Sequence, residues 1–237
     1  MLVLDRVLVL LLLLFLTACA VPGIPGRVIY EHPTTFIRVE PDPQVQPERP
    51  ETFHRHPTSI SVEQFAGVLR GLKVRDHRTT LHIMVSGEAH WEPAFSEEEI
   101  AVLAPGVTEA LAKAQYRERV TYYLSRPQTS IRREITTGGV YIQGNHLHFI
   151  IANRKIRYAV PAYGIVYDKR YPTRPTGPKW FDLDFEPADA LVKQKASFLD
   201  FLLGREKDEV VIDLDKLGLG LPVARAPLHS LAIFPHP

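Results

Sequence analysis

The chain has 237 residues, a formal net charge of +1, 45% hydrophobic and 23% charged residues, and a single cysteine. These values suit a folded body with an ordinary core, and they set aside nucleic acid as a general partner, because no excess of positive charge exists to hold a phosphate backbone. One cysteine excludes an internal disulfide, a Cys-rich zinc site and c-type haem attachment.

Residues 7–15 are an uninterrupted apolar run behind a weakly charged start containing Asp5 and Arg6. About nine residues cannot cross a bilayer core, which takes about 20, whereas a secretory leader has this shape. The run ends in Leu16-Thr17-Ala18-Cys19. This ending resembles the lipobox of bacterial lipoproteins, in which a small residue precedes a cysteine that is lipidated and becomes the first residue of the mature chain. The resemblance covers residues 1–20. It implies a signal peptide over residues 1–18, acylation of Cys19, and a membrane as partner through that lipid. Two or three acyl chains, at about 0.8 kcal/mol per buried CH₂, anchor stably where one is marginal. In Gram-negative members the next residue sorts the protein; Ala20 in place of Asp implies the outer membrane, on its periplasmic face.

Residues 20–57 hold eight of the chain's 20 prolines. Proline removes a backbone donor and fixes φ, so neither a long helix nor a central strand is expected there. Residues 19–57 therefore read as a lipidated cysteine and a Pro-rich tether, with a reach of up to about 110 Å as polyproline II. Its apolar patches at residues 28–30 and 36–39 would at most add an edge strand to the body. Residues 58–237 are expected to form a single domain.

Within that domain, Ser61 and Gln64 make a capping box ahead of Phe65, Val68, Leu69 and Leu72, whose spacing predicts a short helix stopped at Gly71. Residues 80–86 alternate as a strand. Ser96 and Glu99 form a second capping box, and Pro105 is expected to open a further helix with Val107, Ala110 and Leu111 inward. Residues 119–125 and 131–137 alternate as strands. Residues 140–152 predict a hairpin about Gly144-Asn145, with Val140, Ile142, Leu147, Phe149 and Ile151 on its core face and Tyr141, Gln143, His146 and His148 on the other. Gly138-Gly139 is expected to make a tight turn or a bulge. Residues 181–185 and 209–214 read as strands, and Pro187 as the start of a helix ending at Gly204. The predicted class is α+β: an antiparallel sheet with hairpins, packed by two to four helices.

Residues 154–179 carry seven Lys or Arg against one acid, with four Tyr and four Pro interleaved. A long ordered loop over the sheet is expected. Arg154, Lys155, Arg157, Lys169, Arg170 and Arg174 are its candidate binding residues for anionic lipid headgroups, phosphorylated glycans or an acidic partner. Residues 181–216 hold ten acids and five bases and are expected to neutralise that loop within the fold.

Chemistry-bearing patterns are few. In a strand, residues two apart point the same way, so His146 and His148 could share a metal, with His82 or His90 as a third ligand. His54 and His56 form a second such pair. Asp182-Leu183-Asp184-Phe185-Glu186 puts three carboxylates on one strand face. It resembles the end of the DxxDxDxE motif of family-18 glycoside hydrolases, in which Glu186 would be the acid. The upstream Asp is missing, and that family needs a (β/α)₈ barrel. No Gly-rich phosphate loop or GxSxG is present, and no cofactor is implied. The expectation is therefore an outer-membrane lipoprotein that binds or scaffolds an envelope protein or glycan partner without catalysis. The alternative is a metal- or carboxylate-dependent hydrolase of envelope glycan or lipid.

Overall fold

A computed structural model describes residues 26–79, 83–85, 87–159, 169–193 and 208–219. The order of elements is β1 (Arg27–His32), β2 (Thr35–Pro41), a 3-10 turn (Pro50–Thr52), α1 (Val62–Gly71), β3 (Leu72–Asp76), β4 (Glu92–Pro93), α2 (Glu97–Lys113), β5 (Glu118–Pro127), β6 (Arg132–Gln143), β7 (His146–Ala159), β8 (Phe181–Phe185) and β9 (Glu209–Asp213). Strands β1-β2-β5-β6-β7-β9 form one antiparallel sheet; β4-β3-β8 form a small second one. The class is α+β.

Both capping boxes form. Ser61 Oγ accepts from Gln64 N, Ser96 Oγ accepts from Glu99 N, and each partner side chain returns to the cap's own N–H. Pro105 does not open a separate helix: it lies inside the 17-residue α2. Proline in a helix interior deletes one hydrogen bond. The bond lost is the one to the Ala101 carbonyl; further along the same turn the Thr108 hydroxyl donates to the carbonyls of Ala104 and Pro105 at 2.9 and 3.0 Å.

The hairpin about Gly144-Asn145 has the predicted register, Gln143 opposite His146, with Gly144 at φ +59°. Its apolar face is core: Val140, Ile142, Leu147, Phe149 and Ile151 are at most 1% exposed and share one cluster with α1, α2 and the small sheet. Of the turn or bulge expected at Gly138-Gly139, the turn does not form, and a register irregularity lies between Thr137 and Gly138. The expected strand at residues 131–137 runs through them into one 12-residue β6, whose register slips on either side of Thr137. The reason is steric. A Cβ on Gly138 would stand 1.8 Å from the Ile150 carbonyl and 2.6 Å from the Tyr122 hydroxyl, so β7 and the Tyr122 ring occupy the side-chain space. Tyr122 uses it to donate to Ile150 O at 2.8 Å.

The expected boundary at residue 58 moves to Arg27. Residues 27–57 are part of the fold, and the tether reading applies to none of them. Thr35–Glu40 of β2 is buried on both faces and pairs with β5 along its full length. The prolines stand where they do no harm: Pro33 in the β1–β2 turn, Pro41 at the end of β2, and Pro43, Pro47 and Pro50 in the irregular stretch beyond. That stretch is stitched down by His54 N to Tyr116 O (2.8 Å), Arg55 N to Ile142 O (2.6 Å) and Thr58 N to Leu111 O (3.0 Å).

Two other expectations change. Ile83–Val85, placed in a strand at residues 80–86, form a helical turn with Ile83 N bonded to Thr79 O and Gly87 N to Ile83 O; residues 80–82 and 86 lie outside the described residues. Residues 187–193 are not helical. Leu191 bridges to Ile212, and Val192 N and Ala190 O bond to β9, because that edge of the sheet offers stronger partners than a solitary turn. The remainder of that expected helix, residues 194–204, lies outside the described residues.

Candidate functional site

One face of the large sheet is core; the other is polar yet covered. At one end of it Glu40 (β2) stands opposite Arg119 (β5), and Tyr141 (β6) opposite His148 (β7). Arg119 Nη2 donates to Glu40 Oε1 at 3.0 Å and to Thr173 Oγ1 at 2.7 Å, while its Nη1 lies 3.5 Å from Asp42. Asp42 Oδ2 bonds His54 Nε2 at 2.9 Å. All four of these charged or ring residues (Glu40, Asp42, His54, Arg119) are at most 9% exposed. Burial raises the Glu40 carboxyl above the usual carboxylate range in spite of Arg119. Burial acts the same way on Asp42, but the His54 hydrogen bond and the Arg119 charge outweigh it and hold Asp42 below that range.

Next to this pair, Glu209 Oε1 takes two hydrogen bonds, from the Tyr141 hydroxyl at 2.8 Å and from His148 Nδ1 at 2.7 Å. The Tyr141 and His148 rings stack at 4.4 Å and 12°. Burial, then the Glu209 charge, pushes the Tyr141 hydroxyl far above the ordinary tyrosine range, so it acts as a neutral donor. A carboxylate that orients an imidazole is one half of a general-base arrangement. Here the arrangement is pinned between strands as a cross-strand clamp. His146 pairs in register with Asp213 and stands apart from that clamp. Among the described residues no group of three His, Cys, Asp or Glu side chains has the geometry to hold a metal. His90 is exposed, and His82 lies outside the described residues.

The opening on this face lies farther along, beside the β1–β2 hairpin. A groove of about 560 Å³ has Gly26, Val28, Phe36, Arg38, Tyr123 and Lys169 in its lining. Its floor is an aromatic pair: Phe36 and Tyr123 stack at 4.9 Å and 5°. The Arg38 guanidinium lies 3.8 Å over the Phe36 ring, and the Lys169 ammonium 5.1 Å from the Tyr123 centroid. Arg38 Nη2 donates to the Lys169 carbonyl, which sets the two cationic residues side by side. A cavity of this size with an apolar floor and few charged groups is the usual form of a small-ligand site.

The six basic residues read from residues 154–179 do not form one surface. Arg154 is 1% exposed, paired with Asp76 and Glu92 and set over Trp180 and Phe181. Lys155 reaches Glu92 and Arg157 reaches Glu134. Arg170 and Arg174 stand over the Tyr171 ring, and Lys169 alone of the six lines the groove. Part of the expected loop is strand, since β7 continues to Ala159; residues 160–168 lie outside the described residues. Residues 172–176 do lie on the sheet, with Thr137 Oγ1 donating to Pro172 O and Asn153 bonding Arg174 O and Thr176. Among the described residues, Arg154 and Lys155 are neutralised by Asp76 of β3 and Glu92 of β4, and Arg157 by Glu134 of β6.

The acidic run Asp182-Asp184-Glu186 sits on and just past β8, an edge strand of the small antiparallel sheet, which is not a barrel strand. Asp182 takes Arg75 at 2.9 Å and His77 at 2.8 Å, Asp184 accepts its neighbour's Phe185 N–H, and Glu186 lies 3.3 Å from Lys73. Cys19 lies outside the described residues.

The residues missed from sequence are Arg38, Phe36, Tyr123, Glu40, Asp42 and Arg119. For Arg38 and Glu40 the signal was present in Ile37-Arg38-Val39-Glu40, an alternation of apolar and charged residues that proline density on either side obscured. No family model, curated protein or solved structure is significantly similar to this chain.

Proposed function

We propose that this chain is an outer-membrane-anchored lipoprotein of the bacterial envelope, facing the periplasm, with a binding or scaffolding role carried by the groove beside the β1–β2 hairpin. The observation that carries the reading is where that groove sits along the chain. Gly26, in its lining, follows Cys19 by seven residues. Seven residues fully extended span at most about 25 Å. With Cys19 acylated, the groove is therefore held close to the bilayer surface, and a reach of about 110 Å is no longer available. Of the carboxylates named for the hydrolase alternative, Asp182 pairs with Arg75 and His77, Asp184 accepts from Phe185 N–H, and Glu186 lies 3.3 Å from Lys73 on an edge strand of the small antiparallel sheet.

Two experiments test this. Metabolic labelling with a fatty-acid analogue should mark the wild-type chain and be lost in Cys19→Ala; labelling that survives the substitution removes the anchor. A photo-crosslinking residue placed at Val28 should give a reproducible adduct in cells, while one at the exposed Glu63 of α1 should not. No adduct at Val28, or the same adduct at both positions, would remove the groove as the binding surface.

A further inference from the structure

We infer that residues 43–58 form an acid-sensitive strap over one end of the large sheet, and that a proton on His56 releases this strap while the sheet stays folded. The segment runs from the end of β2 toward α1, and prolines at 43, 47, 50 and 57 confine its regular structure to one 3-10 turn. Of its residues only His54, His56 and Thr58 are buried, and none of the three is apolar; Phe53 is half-buried against the Tyr116 ring at 4.8 Å. The amides of His54, Arg55 and Thr58 tie it to the carbonyls of Tyr116, Ile142 and Leu111, and Gln143 Nε2 donates to Glu51 O at 2.7 Å. A segment held by polar contacts, with no apolar side chain fully buried, belongs to the part of a fold that opens first.

His56 is the weak point. Neither of its ring nitrogens has a hydrogen-bond partner, and its ring stands 5.7 Å from that of His54. The acids at this end of the sheet are engaged elsewhere: Asp42 with His54 and Arg119, Glu40 of β2 with Arg119 of β5, and Glu209 of β9 with Tyr141 of β6 and His148 of β7. Arg55, within the strap, and Arg117, 5.7 Å over the Phe53 ring, add positive charge. An imidazolium at position 56 is therefore buried without a counter-charge of its own. Burial, then the nearby His54, holds the closed-state His56 at about 3. Lifting the strap hydrates the ring and returns it to its ordinary 6.5, so the closed form loses ground as pH falls below 6.5 toward 3. Asp42, held below the usual carboxylate range, stays ionised at pH 4.5 and adds nothing to the change there. Glu40, raised by burial, works in the opposite sense, because the closed form keeps its proton more readily than the open one. Opening uncovers the Tyr141 ring, 4.4 Å from that of His54, and the Glu40–Arg119 pair.

The test is amide hydrogen exchange by mass spectrometry on the full-length chain at pH 7 and pH 4.5, each rate divided by the intrinsic rate at that pH. Peptides covering residues 53–58 should lose protection on the order of 100-fold between the two, whereas those covering β5 and β6 should keep theirs. Equal losses in strap and sheet would mean global unfolding, and no loss would leave the strap insensitive to acid; either result overturns the inference. His56→Phe and His56→Gln take no proton at position 56, and each should abolish the response. A response that survives in either variant assigns it to another group and also overturns the role of His56. Were both variants to fail to fold, the wild-type chain still decides: the His56 ring signal, followed by NMR, must change over the same pH interval as the strap amides. Amides that open with that ring signal unchanged would reject it. Neither the groove nor Cys19 enters this test.

Discussion

His56 stands with its ring 5.7 Å from that of His54, yet only His54 has an acid beside it; both ring nitrogens of His56 are buried without a hydrogen-bond partner. Burial, then the nearby His54, lowers the His56 pKa from 6.5 to about 3. The unfolded chain therefore binds a proton between these values that the folded chain refuses. Stability from this group is fully present above about pH 6.5 and falls as pH drops toward 3. At pH 4.5 the loss is about 2–3 kcal/mol. Urea midpoints taken at pH 7 and pH 4.5 should show that difference, and His56→Phe should remove most of it. An unchanged slope in His56→Phe would reject the role of this residue.

Two glycines should respond to alanine with opposite signs. Gly67 lies on the exposed side of α1 with nothing within 4 Å of an added Cβ, so Gly67→Ala should stabilise by about 0.5–1 kcal/mol. Gly138 has the Ile150 carbonyl and the Tyr122 hydroxyl in that space, so Gly138→Ala should destabilise by about 1–3 kcal/mol or prevent folding. Chemical denaturation of both variants measures the pair.

Arg154 and Arg157 come from the same basic segment and should behave differently. Arg154 is buried beneath Trp180 and ties β7 to Asp76 and Glu92, so Arg154→Ala should cost about 2–4 kcal/mol through lost packing and broken pairs. Arg157 is 74% exposed, and Arg157→Ala should leave the denaturation midpoint in place.

The Tyr141–Glu209–His148 clamp should prove structural. Tyr141→Phe removes one hydrogen bond to Glu209 and should cost about 1–2 kcal/mol, with His148→Ala similar or larger. Neither should alter crosslinking at Val28. Loss of that crosslink at full stability would assign the clamp to the working site.

Local signals were read well where they are local in cause. The capping boxes at Ser61 and Ser96 need only four residues, and the hairpin about Gly144-Asn145 needs only alternation and a turn. Errors arose where distant chain decides. Pro105 looked like a helix start because proline is favoured there, whereas the core that buries Ile100 and Leu103 before it and Val107 and Leu111 after it carries α2 through the proline. At Gly138-Gly139 a turn and a bulge were both open from sequence; the register irregularity beside Gly138 forms and the turn does not, because β5 and β7, distant in the chain, keep pairing with β6 through both glycines.

The groove was legible only in fragments. Lys169 was singled out for its charge, Phe36 and Arg38 were placed in a spacer able to add an edge strand to the body, and Tyr123 in an ordinary strand. Composition, the Leu16-Thr17-Ala18-Cys19 ending and periodicity by themselves determined an α+β body and an expected address, because those signals are carried by neighbouring residues. Tertiary structure alone decided that residues 27–57 belong to the body. Strand β2 is held by pairing with β5, about 85 residues onward, and its charged face is satisfied by Arg119 on that strand and Lys169 beyond it. Partners so far apart in the chain leave no local trace, and so the groove they enclose becomes visible only when the sheet is assembled.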